Sequence, residues 1–226
     1  MSVIAERYRK VLAQVADAAD IAGRRPSEVT LLAATKTAGP AEIAQAVAAG
    51  MHDLGENRAP EFTAKRALFP NEHWHFIGTL QTNKVKQVVG RADLIHSVDT
   101  LHLLRVIDRR AREVAVVQPV LLEVNVSSEA TKHGMSLEEA EEAVALASDL
   151  PGVRVRGLMT MAPLAARPES VRWVFAECAQ WLGRLQALHR DGVELTELSM
   201  GMTNDFAVAV EEGATIVRVG RAIFGR

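Results

Sequence analysis

The chain has one cysteine, one tyrosine, almost no net charge and no apolar run long enough to cross a bilayer. The lone Cys178 excludes an internal disulfide and a cysteine-rich metal site, and it fits a reducing compartment. Set in a helical run, Cys178 is expected to be a small packed residue. A membrane helix needs about 20 consecutive apolar residues, and no stretch approaches that. Glu6, Arg7, Arg9 and Lys10 interrupt the N-terminus where a secretory signal needs its apolar segment, so a soluble, cytoplasmic protein is expected. With 26 basic and 28 acidic residues, the net charge is −2 and no long basic run exists. The patch Arg109-Arg110-Ala111-Arg112 reads as the solvated face of a helix, and a nucleic-acid partner is not expected.

What is present is a large apolar fraction in a regular rhythm. At 226 residues and 48% apolar content the chain can bury a substantial core. Residues 2–22 carry a helical period closed by Gly23. Short apolar strand patterns then follow at 30–37, 53–57, 73–78, 94–98, 119–126, 153–161, 194–200 and 215–219. Helical patterns lie between them at 40–49, 59–67, 81–89, 99–111, 136–147, 168–189 (expected to be the longest) and 205–212, with a very short one after Gly220. Ser136 with Glu139 makes a capping box. Strict alternation argues a parallel sheet, and eight units at this length argue a closed α/β structure, a single (β/α)8 TIM barrel over residues 1–226 with an extra N-terminal helix. The glycine-rich dinucleotide fingerprint that an open doubly wound sheet would place after strand one is absent.

In such barrels the active site lies at the C-terminal ends of the strands. Those ends carry Lys36, Glu56, Asn57, Gly78, Gln81, Asn83, Ser97, Asn125, Met159, Met161, Ser199 and Arg218. Lys36 is expected at the end of a buried strand, where loss of water would depress its pKa and make it nucleophilic toward a carbonyl compound. The loops after strands seven and eight are the usual phosphate site of this architecture. Here they contain Ser199-Met200-Gly201-Met202-Thr203 and Arg218-Val219-Gly220-Arg221. Gly220 lets backbone approach a phosphate, the Gly220 and Arg221 N–H groups open a helical turn, and Ser199 and Thr203 offer hydroxyls. A Schiff-base lysine facing a phosphate cradle suggests a phosphorylated aldehyde, of which pyridoxal 5′-phosphate (PLP) is the common one.

These residues sit within longer stretches: Ala34-Thr35-Lys36-Thr37, Leu54-Gly55-Glu56-Asn57-Arg58, the 74–84 segment Trp-His-Phe-Ile-Gly-Thr-Leu-Gln-Thr-Asn-Lys, Val124-Asn125-Val126-Ser127 with Lys132-His133-Gly134, Gly157-Leu158-Met159-Thr160-Met161-Ala162, residues 198–202, and Val217-Arg218-Val219-Gly220. In these the chain resembles the pyridoxal phosphate homeostasis protein family, single-domain relatives of the alanine racemase barrel, over residues 5–225. The resemblance implies PLP fold type III. It implies that Lys36 carries the cofactor as a Schiff base, and that Ser199 with the Gly220 and Arg221 amides holds the phosphate. Arg218 would face the pyridine nitrogen and keep it unprotonated, and Asn57 would lie near the cofactor. Residues 74–84 are a family signature that also reads as a packed strand and helix cap.

The chain departs from the family pattern in places. Thr203 and Arg221 replace a frequent serine and threonine, and Ala207 stands where a polar residue is often seen. A backbone contact at 221 survives the change, and the added guanidinium could pair with the phosphate. Racemases of this barrel class also need a second base, a tyrosine in alanine racemase, and a further β domain. The single tyrosine, Tyr8, falls in the N-terminal helix, and the chain stops after strand eight. The resemblance therefore implies a monomeric, non-catalytic carrier that supplies PLP to apo-enzymes. A weak amino-acid racemase or lyase is the alternative.

Overall fold

In the computed structural model, which describes residues 2–127, 129, 133–190 and 193–225, eight parallel strands close into a barrel in sequence order. Helix α1 (Val3–Ile21) precedes β1 (Thr30–Ala34), α2 (Pro40–Ala48), β2 (Asp53–Glu56), α3 (Ala59–Leu68), β3 (His73–Phe76) and α4 (Val85–Val88). Then come β4 (Leu94–Val98), α5 (Leu101–Glu113), β5 (Gln118–Glu123), α6 (Leu137–Ala147), β6 (Val153–Met159) and α7 (Arg172–Gln186). The chain closes with β7 (Val193–Ser199), α8 (Phe206–Glu211), β8 (Ile216–Val219) and α9 (Arg221–Phe224). Strand β8 pairs with β1, Leu32 opposite Arg218.

Local chemistry sets the boundaries. Ser2 caps α1, its Oγ accepting from Ala5 N at 3.2 Å, and Ile4, Tyr8, Val11, Val15, Ala18 and Ala19 form the face buried against α2, α8 and α9. The Ser136–Glu139 capping box is formed as expected. Helix α1, with 19 residues, is longer than α7, with 15, contrary to the sequence expectation. Residues 168–171 tighten into a 3-10 turn before α7, because Pro168 and the Ser170 hydroxyl, which donates to Arg167 O, favour a turn. Residues 82–84 do the same before α4.

The strands alternate their side chains. Outward residues such as Trp74, Ile95, Leu122 and Val217 join the helices in the main core. Leu32, Leu94, Leu121, Met159 and Ile216 form a small apolar cluster inside the barrel. Two residues along from these on the same faces come His96, Glu123 and Arg218, all buried. The barrel interior is therefore partly polar. Among the described residues no helix is long and apolar enough to cross a membrane.

Candidate functional site

At the C-terminal strand ends lies a cavity of about 740 Å³, walled by residues that include Lys36, Asn57, Gly78, Glu123, Met202, Thr203, Arg218, Gly220 and Arg221. Six of the seven sequence-predicted site residues are thus brought together; Ser199 is not.

Lys36 differs from expectation in its setting. Strand β1 ends at Ala34, and Lys36 falls in a turn closed by Ala38 N donating to Thr35 O at 2.8 Å. Its side chain lines the cavity but is exposed, and not buried at a strand end as expected. What holds the turn is Thr35, fully buried, whose Oγ1 contacts Gly55 O (3.1 Å) and Glu56 Oε1 (3.0 Å). The Lys65 ammonium donates to Thr35 O (2.7 Å) and Glu56 Oε1 (2.5 Å), and Glu56 Oε2 accepts from Asn57 N at 3.0 Å. One buried carboxylate thus ties the Lys36 turn to Asn57. Nothing in the spacing of α3 marked Lys65 for this.

Asn57 is fixed from its other side by Gly78. A Cβ at position 78 would lie 2.2 Å from Asn57 O, so only glycine fits. The 74–84 segment divides accordingly. Trp74 packs edge-on against Phe62 and donates Nε1–H to Phe69 O (2.9 Å), whereas Gly78 and Thr79 reach the cavity.

Arg218 is buried and directed by its partners. Nη1 donates to Ser199 O (2.7 Å) and Oγ (2.6 Å), and Nη2 donates to Thr160 O (2.9 Å). Burial lowers its pKa to about 10, which leaves it charged at neutral pH. Ser199 is fully buried, its hydroxyl engaged by Arg218 and by His96 Nδ1 (2.8 Å) instead of opening into the cavity. Strand β8 aims every second residue inward, and the carbonyl and hydroxyl at the end of β7 meet the guanidinium there.

The two loops expected to meet a phosphate both reach the cavity, through Met202 and Thr203 on one side and Gly220 and Arg221 on the other. A Cβ at Gly220 would come within 3.0 Å of Ala34 O, and Gly220 O accepts from Ile223 N (3.0 Å) and Phe224 N (2.9 Å) as α9 begins. Asp205 shapes the opposite loop, Oδ1 accepting from Met202 N at 2.6 Å; burial raises its pKa. The Arg221 guanidinium reaches Asn204 Oδ1 at 3.3 Å.

Sequence reasoning missed Glu123. The apolar run 119–126 hid it, but β5 ends at Glu123 and Val124 makes only an isolated bridge to Met135. A carboxylate interrupting such a run was the available signal. Burial, then the nearby Asp99 charge, raises its pKa from 4.5 to about 7, against the pull of Arg218 and His133. The folded state therefore binds more protons than the unfolded state across that window, and stability falls as pH rises through it. The full loss is on the order of 3 kcal/mol. His75 and His96, whose pKa values burial lowers, act in the opposite sense over the same range, so the contribution of Glu123 is read as a difference. In urea unfolding at about pH 5 and about pH 8, Glu123→Gln is expected to shift the change in stability between the two pH values toward greater stability at the higher pH. A variant whose stability changes between the two pH values as the wild type's does would contradict this assignment.

Other sequence expectations fall elsewhere. The Tyr8 hydroxyl donates to Gly50 O at 3.3 Å, away from the cavity. Cys178 is fully buried, its thiol pushed up to about 12 by burial, and is inert packing. Lys132 lies outside the described residues. Among those residues no cluster of three metal-ligating side chains exists.

The sequence profile described as "Alanine racemase, N-terminal domain" matches residues 11–226. A pyridoxal phosphate homeostasis protein of Aquifex aeolicus (strain VF5) is 44% identical over 222 residues, 97% of this chain and 96% of that one. One from Pseudomonas aeruginosa is 39% identical over 228 residues, covering 100% and 96%. The solved structure of PipY from Synechococcus elongatus PCC7942 with PLP bound superposes with a TM-score of 0.84 at 36% identity, covering 98% of this chain and 100% of that one.

Proposed function

The chain belongs to the pyridoxal phosphate homeostasis protein family of alanine-racemase-like barrels, and on that premise we propose that it binds PLP in the strand-end cavity, holds it as a Schiff base on Lys36 and supplies it to apo-enzymes. The observation that carries this reading is the opening of Lys36, buried Arg218 and the Gly220–Arg221 turn onto one cavity. Its volume, about 740 Å³, is ordinary for a cofactor-sized ligand. Lys36, Arg58, Arg218 and Arg221 on its wall suit a dianionic phosphate ester.

PLP, when bound, supplies an aldehyde for a lysine amine and a ring that can act as an electron sink. The residues then divide the work. Lys36 offers the amine from a turn that the Thr35–Glu56–Lys65 cluster fixes. Thr203, Arg221 and the α9 amides would hold the phosphate, and Asn57 lies along the same wall. Ser199 acts behind Arg218. A guanidinium only donates, so Arg218 facing the ring nitrogen would leave that nitrogen unprotonated and the ring a weak sink. Such a barrel carries the cofactor better than it catalyses with it, as one monomeric domain over residues 1–226.

Glu123 favours a second reading, a weak racemase or lyase, because a cavity carboxyl that keeps its proton near neutrality can serve as acid or base. A panel of amino acids assayed for turnover separates the two. The main reading is tested by mixing PLP-loaded protein, freed of excess ligand by gel filtration, with an apo-enzyme whose activity reports transfer. The wild type is expected to restore activity, and Lys36→Ala to retain no PLP through filtration and restore none. A Lys36→Ala variant that carries and delivers PLP as well as the wild type would defeat the reading.

A further inference from the structure

We infer that His96, backed by His75, is a positioning residue for Arg218, acting through a buried hydrogen-bonded chain whose proton order is fixed along its whole length. The order begins at Arg218, because a guanidinium has donors and no acceptor. Its Nη1 lies 2.6 Å from Ser199 Oγ, so that oxygen accepts. The one hydrogen of Ser199 then goes to its other neighbour, His96 Nδ1, at 2.8 Å. His96 is fully buried between a guanidinium and a second imidazole, and this burial drives its pKa well below the ordinary value, leaving it neutral. A neutral ring that accepts at Nδ1 carries its hydrogen on Nε2, and that nitrogen donates to His75 Nδ1 at 2.9 Å. Burial also holds His75 neutral, so its Nε2 carries the hydrogen and points toward Asp53 Oδ1, 3.9 Å away at the start of β2.

The chain thus crosses the barrel interior from the cavity wall to the opposite end of the strands. Its geometry explains why Ser199, a residue expected at the phosphate, faces inward. A neutral acceptor at His96 lets Ser199 serve purely as an acceptor for Arg218, while Thr160 O takes Nη2. Reversing the order would set two donors against Ser199 Oγ and strand its hydrogen. A charged His96 would place a second cation beside the guanidinium. Ser199 and Thr160 fix the plane of the Arg218 guanidinium, and Arg218 forms part of the cavity wall.

The proton order stands independently of the ligand; the effect on binding rests on the PLP reading above. Nitrogen-15 NMR of the unliganded protein at neutral pH is expected to find His75 and His96 both as neutral Nε2–H tautomers. A Nδ1–H tautomer or a charged ring at His96 would overturn the inference. In PLP titrations followed by visible absorption, His96→Phe is expected to weaken binding by about tenfold and shift the bound-state band, since Ser199 loses its acceptor. His96→Asn, whose carbonyl still accepts from Ser199, is expected to stay within about threefold of wild type. Phe and Asn variants alike in affinity and spectrum would also overturn it. A wild-type protein that fails to bind PLP would remove the PLP reading, and the tautomers would then decide the inference alone. Should His96→Phe not fold, by thermal unfolding, the wild-type tautomers and His96→Asn still decide it.

Discussion

Gly78→Ala is expected to lower the melting temperature by about 6 °C or more and to weaken PLP binding with it, the temperature shift following from a cost on the order of 3 kcal/mol in a chain of this size. The new methyl carbon would stand 2.2 Å from Asn57 O, 2.6 Å from its Cα and 2.7 Å from its carbonyl carbon. Those are backbone atoms, and they have little room to retreat. Ile77 N donates to Glu56 O at 2.9 Å, one residue before the contact, and Ser97 Oγ donates to Gly78 O at 2.5 Å from the other side. Relief must come from the segment that carries Asn57 along the cavity wall, which is why stability and binding are expected to fall together. Thermal unfolding paired with PLP titration measures both. A variant that melts and binds as the wild type does would show that the approach of the two loops is not a constraint.

The second large effect is expected at the Glu56–Lys65 pair. The Glu56 side chain is 1% exposed and Lys65 13%, so removing either partner leaves a mostly dehydrated charge without its counterion. Lys65→Met is expected to destabilise by about 3 kcal/mol, with Glu56→Leu comparable, as is usual when one member of a buried pair is deleted. Replacing both at once is expected to recover a large part of the loss, because apolar groups of similar size need no partner there. Urea unfolding of the two single variants and the double closes the cycle. Strict additivity would mean that the two charges do not depend on each other. The pair also holds the Thr35 carbonyl, so each single variant is expected to loosen the turn that presents Lys36.

The barrel was legible in the sequence because it rests on local signals. The alternation of apolar strand patterns with helical periods, the Ser136–Glu139 box and the glycine stops each lie within a few residues of the element they define. Strand ends were less legible. Strand β1 was expected to run through Thr37 but stops at Ala34, and the reason is distant: Thr35 spends its hydroxyl and carbonyl on β2 and on Lys65 of α3. The exposure of Lys36 follows from that early end. The interior polar groups were the least legible. His75, His96 and Glu123 occupy inward positions that read equally well as apolar-strand interruptions or tolerated surface residues. Only the closure of the barrel brings His96 to Ser199, 103 residues further along the chain. The placement of Ser199 shows the same limit: proximity to the loop after β7 suggested a phosphate contact, and the partner that turns it inward comes from β8 and β4.

The most direct test of the central claim is the visible absorption spectrum of the purified protein with PLP, followed by borohydride reduction and peptide mass mapping. A yellow band that reduction removes, with the pyridoxyl mass on the peptide containing Lys36, is the predicted result. A protein that stays colourless with excess PLP, or one that carries the label on another lysine, would contradict the assignment of Lys36 as the residue that holds the cofactor.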